Sequence, residues 1–185
     1  GFSTDSGVGG AFSSCKNLKI INLPSTLTRL AHRTFQNSGL ESITLPSSLN
    51  KIEDYVFAFC TGLTSVTIPS SVTEIGNDAF LACSALTQIN IPSTVNSIGE
   101  YAFSNCNALT SLTIPSAISV ISDSAFAGCS SLTNITIPEG VTTIGNRAFG
   151  ACSGVTSITI PSTVEYIGDG ALSVNNELSP TTEIT

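Results

Sequence analysis

The side chains able to do chemistry are few, and most recur at one spacing. Cys60, Cys83, Cys106, Cys129 and Cys152 stand 23 residues apart, with Cys15 ahead of them, and His32 is the single histidine. Six cysteines in a short chain ordinarily suggest a disulfide framework. A fixed period instead stacks them as one column, each taking the place of the last, which points to small buried thiols. Bridges between neighbours would require Cα atoms within about 7 Å. Zinc would want C-x-x-C pairs or a nearby histidine, and neither is present.

Catalysis has little to work with. His32 has no second histidine, and no G-x-S-x-G, Walker A, H-E-x-x-H or dinucleotide fingerprint is present. Glu53, Asp54, Asp78, Glu100, Asp123 and Asp169 gather near one phase of the repeat. There they read as starters of outer turns rather than as paired acids in a pocket. No catalytic, cofactor-binding or metal-ligating residue is therefore expected, and the chain reads as non-enzymatic.

The elements that position these residues follow from the repeat itself. Prolines fall at Pro24, Pro46, Pro69, Pro92, Pro115, Pro138 and Pro161, and phenylalanines keep the same clock from Phe12 to Phe149. Every step is 23 residues except one of 22, where FQNSGL replaces patterns such as FLACSAL and Ser38 stands nearest the missing cysteine. One unit reads C-x-x-L-x-x-I-x-I-P-S-x-V-x-x-I-x-x-x-A-F-x-x, as in Cys83, Leu86, Ile89, Ile91, Pro92, Val95, Ile98, Ala102 and Phe103.

So few apolar positions cannot bury themselves within one unit, but stacked copies share a core, which is the solenoid solution. L-x-x-I-x-I alternates inward and outward as an extended segment, and Pro92 stops it for want of an N–H. Val95 to Ile98 predicts a second brief parallel strand. Gly76, Gly99, Gly145 and Gly168 then predict a turn of unusual φ. NDAFLAC and EYAFSNC read as one short helical turn, with phenylalanine anchored in the core and cysteine filling a small corner. Strands about 4.8 Å apart would make about seven coils some 34 Å long.

The phrases IPSSVTEIGNDAFLAC, IPSTVNSIGEYAFSNC and IPEGVTTIGNRAFGAC resemble the BspA-like class of leucine-rich repeats, whose pattern runs LP-x-x-L-x-x-I-x-x-x-A-F-x-x-C-x-x-L. The likeness covers about residues 11 to 178. It implies a leucine-rich repeat solenoid, β-rich with short helical turns and a parallel sheet on one concave face. It also implies a place on the surface of host-associated bacteria or some protists, usually tied to adhesion. Fold carries over with such a likeness and a ligand does not.

Domain organisation follows from where the pattern holds. Residues 1–14 read as a degenerate N-terminal half repeat, 15–178 as the solenoid, and 179–185 as a C-terminal tail or truncated repeat, since Pro180 interrupts the pattern. Neither end reads as a polar cap, so part of a longer array is expected.

Composition limits the partners. The chain has 185 residues, 41% hydrophobic and only 10% charged, with a formal net charge of -7. Such a balance argues against nucleic acid, which asks for clustered bases. Ser, Thr and Asn fill polar positions usually held by Lys and Glu, which suits a secreted, extracellular or cell-surface protein. No run approaches the ~18 apolar residues of a membrane helix. Residues 1–51 carry five bases against Asp5 and Glu41, a balance of +3, whereas 52–185 carry Arg147 against eleven acids, a balance of -10. That asymmetry would orient a charged partner along the long axis.

The exposed positions of the extended segments are the candidate partner-binding residues: Ser65, Thr67, Gln88, Asn90, Ser111, Thr113, Asn134, Thr136, Ser157 and Thr159. They make two ladders of small hydrogen-bonding groups, continued by Ile20, Asn22, Ser42 and Thr44, beside a third column of Thr64, Thr87, Thr110, Thr133 and Thr156. A face for an extended protein or glycan ligand is one reading, such as host extracellular matrix or another cell surface. Threonine's liking for strands is the plainer one. The ladders hold no Trp, Tyr or Arg, while Tyr55, Phe59 and Tyr101 fall near the outer turns. Asn134-Ile135-Thr136 is the single glycosylation sequon. A spacer that binds nothing and an ice-contacting Ser/Thr surface are the alternatives to a recognition module.

Overall fold

The computed structural model describes residues 9–173 and the short strand Glu183–Ile184. The expectations for residues 1–8 and for the Leu178–Pro180 interruption lie outside the described residues. In chain order the strands are β1 (Ser42–Thr44), β2 (Lys51–Ile52), β3 (Ser65–Thr67), β4 (Glu74–Ile75), β5 (Ser97–Ile98), β6 (Val120–Ile121), β7 (Asn134–Thr136), β8 (Thr143–Ile144), β9 (Ser157–Thr159), β10 (Tyr166–Ile167) and β11 (Glu183–Ile184). Every ladder is parallel, and the chain is a parallel β-solenoid.

Two strand columns form, as the L-x-x-I-x-I and V-x-x-I segments predict. The first comprises β1–β3 and β7–β9–β11, and the second β2–β4–β5 and β6–β8–β10. Within a rung one residue points in and its neighbours out: Val66 is buried between exposed Ser65 and Thr67. Pairing aligns like with like, Ile43 beside Val66 and Ile135 beside Ile158, so each coil's apolar set is covered by its neighbours.

Neither column is continuous. Gln88–Asn90 and Ser111–Thr113 form no strand, and β5 is not paired with β6. The rung count in strands is therefore smaller than the seven coils expected, although seven phenylalanine rings do stack. In the first column Leu112 is half-buried where Ile43, Val66, Ile89, Ile135 and Ile158 are buried, and it lacks the β-branching of those residues. In the second, Gly76, Gly99, Gly145 and Gly168 each donate a backbone N–H to an isoleucine carbonyl one coil back at 2.8 Å. Ser122 stands at that position after β6, and its hydroxyl takes the Ile98 carbonyl instead, at 2.6 Å.

The core lies between the strand columns and the outer turns, with inward strand residues such as Val66 and Ile75 on one side and the phenylalanines on the other. Phe12, Phe35, Phe57, Phe80, Phe103, Phe126 and Phe149 stack with centroids 5.0–5.6 Å apart and ring planes within 15° of parallel. Those from Phe35 to Phe149 are at most 1% exposed, each burial contributing about 1.5–3 kcal/mol.

The expected helical turn is not a helix. Among the described residues no helix forms, and two residues per coil, four apart, take positive φ, such as Asp78 at 54° with Ala82 at 56° and Tyr101 at 55° with Asn105 at 60°. Left-handed residues break a run of right-handed dihedrals. The amides thereby leave the local ladder and reach the next coil: Asp78, Phe80 and Ala82 donate to the carbonyls of Glu100, Ala102 and Ser104 at 2.9, 2.7 and 2.7 Å. The same alternate bonding recurs from Arg33, Phe35 and Asn37 through Arg147, Phe149 and Ala151. These inter-coil bonds offset a left-handed cost of about 1–2 kcal/mol per residue.

Candidate functional site

On the first strand column the structure places Ser65, Thr67, Gln88, Asn90, Ser111, Thr113, Asn134, Thr136, Ser157 and Thr159 all exposed, over buried Val66, Ile89, Ile135 and Ile158. Register joins them within two blocks, Ser42 with Ser65 and Thr44 with Thr67, then Asn134 with Ser157 and Thr136 with Thr159. Gln88, Asn90, Ser111 and Thr113 lie between the blocks on unpaired backbone. None of the ladder hydroxyls or amides has a side-chain hydrogen bond among the described residues. In the third column, by contrast, Thr64, Thr110 and Thr156 turn their hydroxyls back onto the carbonyls of Glu41, Thr87 and Thr133 at 2.9, 3.4 and 3.2 Å.

At the N-terminal end of this face lies a hollow of about 490 Å³ lined by Ile20, Asn22, Ser42, Thr44, Ser65 and Thr67. Ile20 is 66% exposed there, an apolar contact ringed by small hydroxyls.

A second exposed row was not among the sequence candidates. Across the second column register aligns Lys51 with Glu74 and Ser97, then Val120 with Thr143 and Tyr166. Lys51 and Glu74 pair at 3.0 Å, and the Glu74 partner raises the lysine's pKa. Val120 and Tyr166 are 48% and 55% exposed. The V-x-x-I consensus hides them because they sit at its variable position.

The basic end is largely neutralised by acids one coil on. Lys19 meets Glu41 at 3.1 Å, Arg29 meets Glu53 at 3.1 Å, and His32 lies 3.5 Å from Asp54. The Arg33 guanidinium lies 5.2 Å over the Tyr55 ring. A bond from its hydroxyl to Asp78 raises the Tyr55 pKa, and burial pushes the Asp78 carboxyl up while the phenol draws it back.

Two acids of the outer phase, Asp54 and Asp123, serve the backbone rather than starting helices, together with Asn77 and Asn146 at the same position. Asp54, Asn77, Asp123 and Asn146 each accept, through a side-chain oxygen, the amide of the equivalent residue one coil on, at 2.7–2.9 Å. That ladder explains the glycines before it. Gly76, Gly99, Gly145 and Gly168 are not at positive φ, which corrects the expected unusual turn. A methyl group at any of them would collide with the Asp or Asn side chain or amide of the preceding coil.

All six cysteines are free thiols, five buried and Cys15 exposed. The Sγ of Cys83, Cys106, Cys129 and Cys152 donates to a phenylalanine carbonyl of the preceding coil at 3.1–3.3 Å. Burial pushes Cys106 up to about 12 and Cys152 to about 11. Such thiols are poor nucleophiles and poor metal ligands. Among the described residues no cluster of three or more His, Cys, Asp or Glu could hold a metal ion, and no helix is long and apolar enough to cross a membrane.

Comparison with known proteins agrees with this geometry. The BspA type leucine rich repeat region matches residues 9–110 and 52–179 in six copies. Among solved structures the chain is similar to a leucine-rich repeat protein from Bacteroides ovatus, with 31% identity, 91% of this chain and 44% of that one covered, and a TM-score of 0.86. It is also similar to the T. pallidum leucine rich repeat protein, with 28% identity, 70% and 69% covered, and a TM-score of 0.63. A leucine rich cell surface protein from Faecalibacterium prausnitzii gives 29% identity, 96% and 56% covered, and a TM-score of 0.61. The chain thus spans less than half of the Bacteroides protein and little more than half of the Faecalibacterium one. No curated protein matches it. Repeat, register and structural likeness agree: the chain belongs to the BspA type leucine-rich repeat family.

Proposed function

We propose that this chain is a non-catalytic recognition and adhesion module of an extracellular or cell-surface protein, which holds a protein or glycan partner against its first strand column. The observation that carries this reading is the pair of exposed Ser/Thr/Asn ladders whose side-chain polar groups bond to nothing among the described residues, beside a third threonine column whose hydroxyls mostly do. Free donors and acceptors at a fixed rise suit an extended polar ligand, and repetition adds avidity. A surface location draws support from the Faecalibacterium cell surface protein. The break between Thr67 and Asn134 in the strand ladder works against a flat lattice of hydroxyls, and so against contact with ice.

A panel of extracellular-matrix proteins and glycans, probed with the 185-residue chain and a Thr67→Lys, Asn90→Glu, Thr113→Lys variant, tests the reading. Alternating signs keep like charges from standing side by side in the row. Binding by the parent and its loss in the folded variant is the expected result. No binding by either form would leave a spacer as the better description.

A further inference from the structure

The first left-handed position of each outer turn forms a column that runs Arg33, Tyr55, Asp78, Tyr101, Ser124, Arg147. Its N-terminal half closes on itself: the Arg33 guanidinium lies over the Tyr55 ring, and Asp78 beside the phenol raises its pKa. The C-terminal half again offers an aromatic ring and a guanidinium, but Tyr101 and Arg147 stand two coils apart. Only buried Ser124 lies between them, a separation of about 9.6 Å at the ordinary inter-strand rise.

Both flanking side chains are exposed, Tyr101 at 44%. Arg147 is the one base after Lys51, and among the described residues it makes no ion pair or side-chain hydrogen bond. In the adjoining column Asp123 is engaged elsewhere, its two oxygens accepting the Asn146 amide at 2.7 Å and its Nδ2 at 3.0 Å. The Arg147 stem lies beside Gly170, where a methyl group would approach its Cγ at 3.4 Å.

Between Tyr101 and Arg147 opens a groove of about 680 Å³ with no carboxylate in its lining. The sequence makes this groove by shrinking its floor. The position after the core phenylalanine is Leu81 in one coil but Ser104, Ala127 and Gly150 in the next three. Asn105 supplies an amide at the edge, with Ser173 at the far rim.

We propose that this groove binds a carboxylate-bearing sugar of an acidic glycan. The guanidinium forks onto the carboxylate. The Tyr101 ring offers an apolar face to the C–H groups of the pyranose, and the serines and Asn105 meet its hydroxyls. A floor of small residues lets the ring lie close to the backbone, and the volume suits one or two sugar units. A peptide carboxylate would satisfy Arg147, but the flat floor gives its side chains no pocket. The site lies away from the strand face and does not depend on the reading above.

The test titrates the 185-residue chain with hyaluronan tetrasaccharide, an unsulfated chain of glucuronic acid and N-acetylglucosamine, beside neutral chitotetraose and an acidic tetrapeptide, followed by amide chemical shifts. Hyaluronan is expected to shift Ser104, Asn105, Ser124 and Ala127. Arg147→Ala and Tyr101→Ala should each weaken binding about tenfold or more, with weakening also at high salt. Ser173→Glu, which adds a carboxylate at the exposed rim and leaves Arg147 in place, should act likewise. The strand-face variant should bind as the parent does. No binding by the parent, equal binding of chitotetraose, tighter binding of the peptide, or indifference to Arg147→Ala or to Ser173→Glu in folded protein would each overturn the proposal.

Discussion

The thiol of Cys83 donates to the main-chain carbonyl of Phe57 across 3.1 Å, so a small core side chain of one coil is tied to the aromatic rung of the coil before it. The same bond recurs at Cys106, Cys129 and Cys152. Each thiol is at once a filler of a small space and a second donor to a carbonyl that already accepts an amide in its own coil, as Phe57 accepts that of Cys60 at 3.1 Å.

Accessibility of the six thiols should therefore be split. Cys15 should react with a thiol reagent in the native protein within the mixing time, and the five buried cysteines only as the chain unfolds. Mass spectrometry after brief alkylation at pH 8 should show one adduct in native protein and six in urea.

Alkali should destabilise the fold. An unfolded thiol loses its proton near its ordinary value of 9.0, whereas folded Cys106 holds its proton to about 12 and Cys152 to about 11. In between, the unfolded chain binds fewer protons than the folded one. Stability that is complete below pH 9 then falls as pH rises, by about 1.4 kcal/mol per pH unit for each such thiol. Cys83 and Cys129, also raised by burial, act in the same direction. Urea midpoints from pH 8 to 11 should show the slope, and Cys106→Ala should reduce it.

Phe103→Ala should cost about 3–5 kcal/mol, the range for emptying a buried aromatic site, because Phe103 stacks on both Phe80 and Phe126. Phe12→Ala should cost less, since Phe12 is partly buried and stacks on Phe35 alone. Denaturant titration of the two variants distinguishes them.

Asn146→Ala should cost about 1 kcal/mol, because it removes the acceptor of the Asp169 amide at 2.8 Å and a donor to Asp123 at 3.0 Å. Glu100→Ala should be near neutral, since the Glu100 carboxylate accepts no amide from the next coil among the described residues. Thermal melts side by side give the comparison.

Hydrogen exchange should mark the gap in the second strand column. The amide of Ser122 has no acceptor among the described residues, whereas those of Gly99 and Gly145 donate at 2.8 Å to Ile75 and Ile121. Exchange at Ser122 should outpace exchange at both glycines, and equal protection would refute the gap.

Period, core and strand face were legible because each rests on the identity of a recurring side chain. Phenylalanine, cysteine and the alternating isoleucines announce burial by type. The outer turn was not legible, because its left-handed residues include Arg33, Tyr55, Asp78, Ser124 and Ala151, which share no local preference. Their conformation is imposed by bonds to the next coil. The glycines were misread for a related reason: Gly76 and Gly99 yield space to a side chain 22 residues earlier, not to their own dihedrals. The groove between Tyr101 and Arg147 was hidden because it depends on small residues in three successive coils, none of them unusual alone.

The missing pairing between β5 and β6 has a mechanical meaning. Across that step the outer side keeps its bonds, Tyr101 to Asp123, Phe103 to Ala125 and Asn105 to Ala127 at 3.1, 2.8 and 2.7 Å. The strand side holds there by the Ser122 hydroxyl in the second column and by Thr110, whose amide and hydroxyl reach the Thr87 carbonyl at 3.3 and 3.4 Å. Tension along the axis would be borne mainly on the outer edge, so the rod yields first at this thinner strand-side step, swinging open about its phenylalanine spine much as a hinged cover does, before any coil unravels.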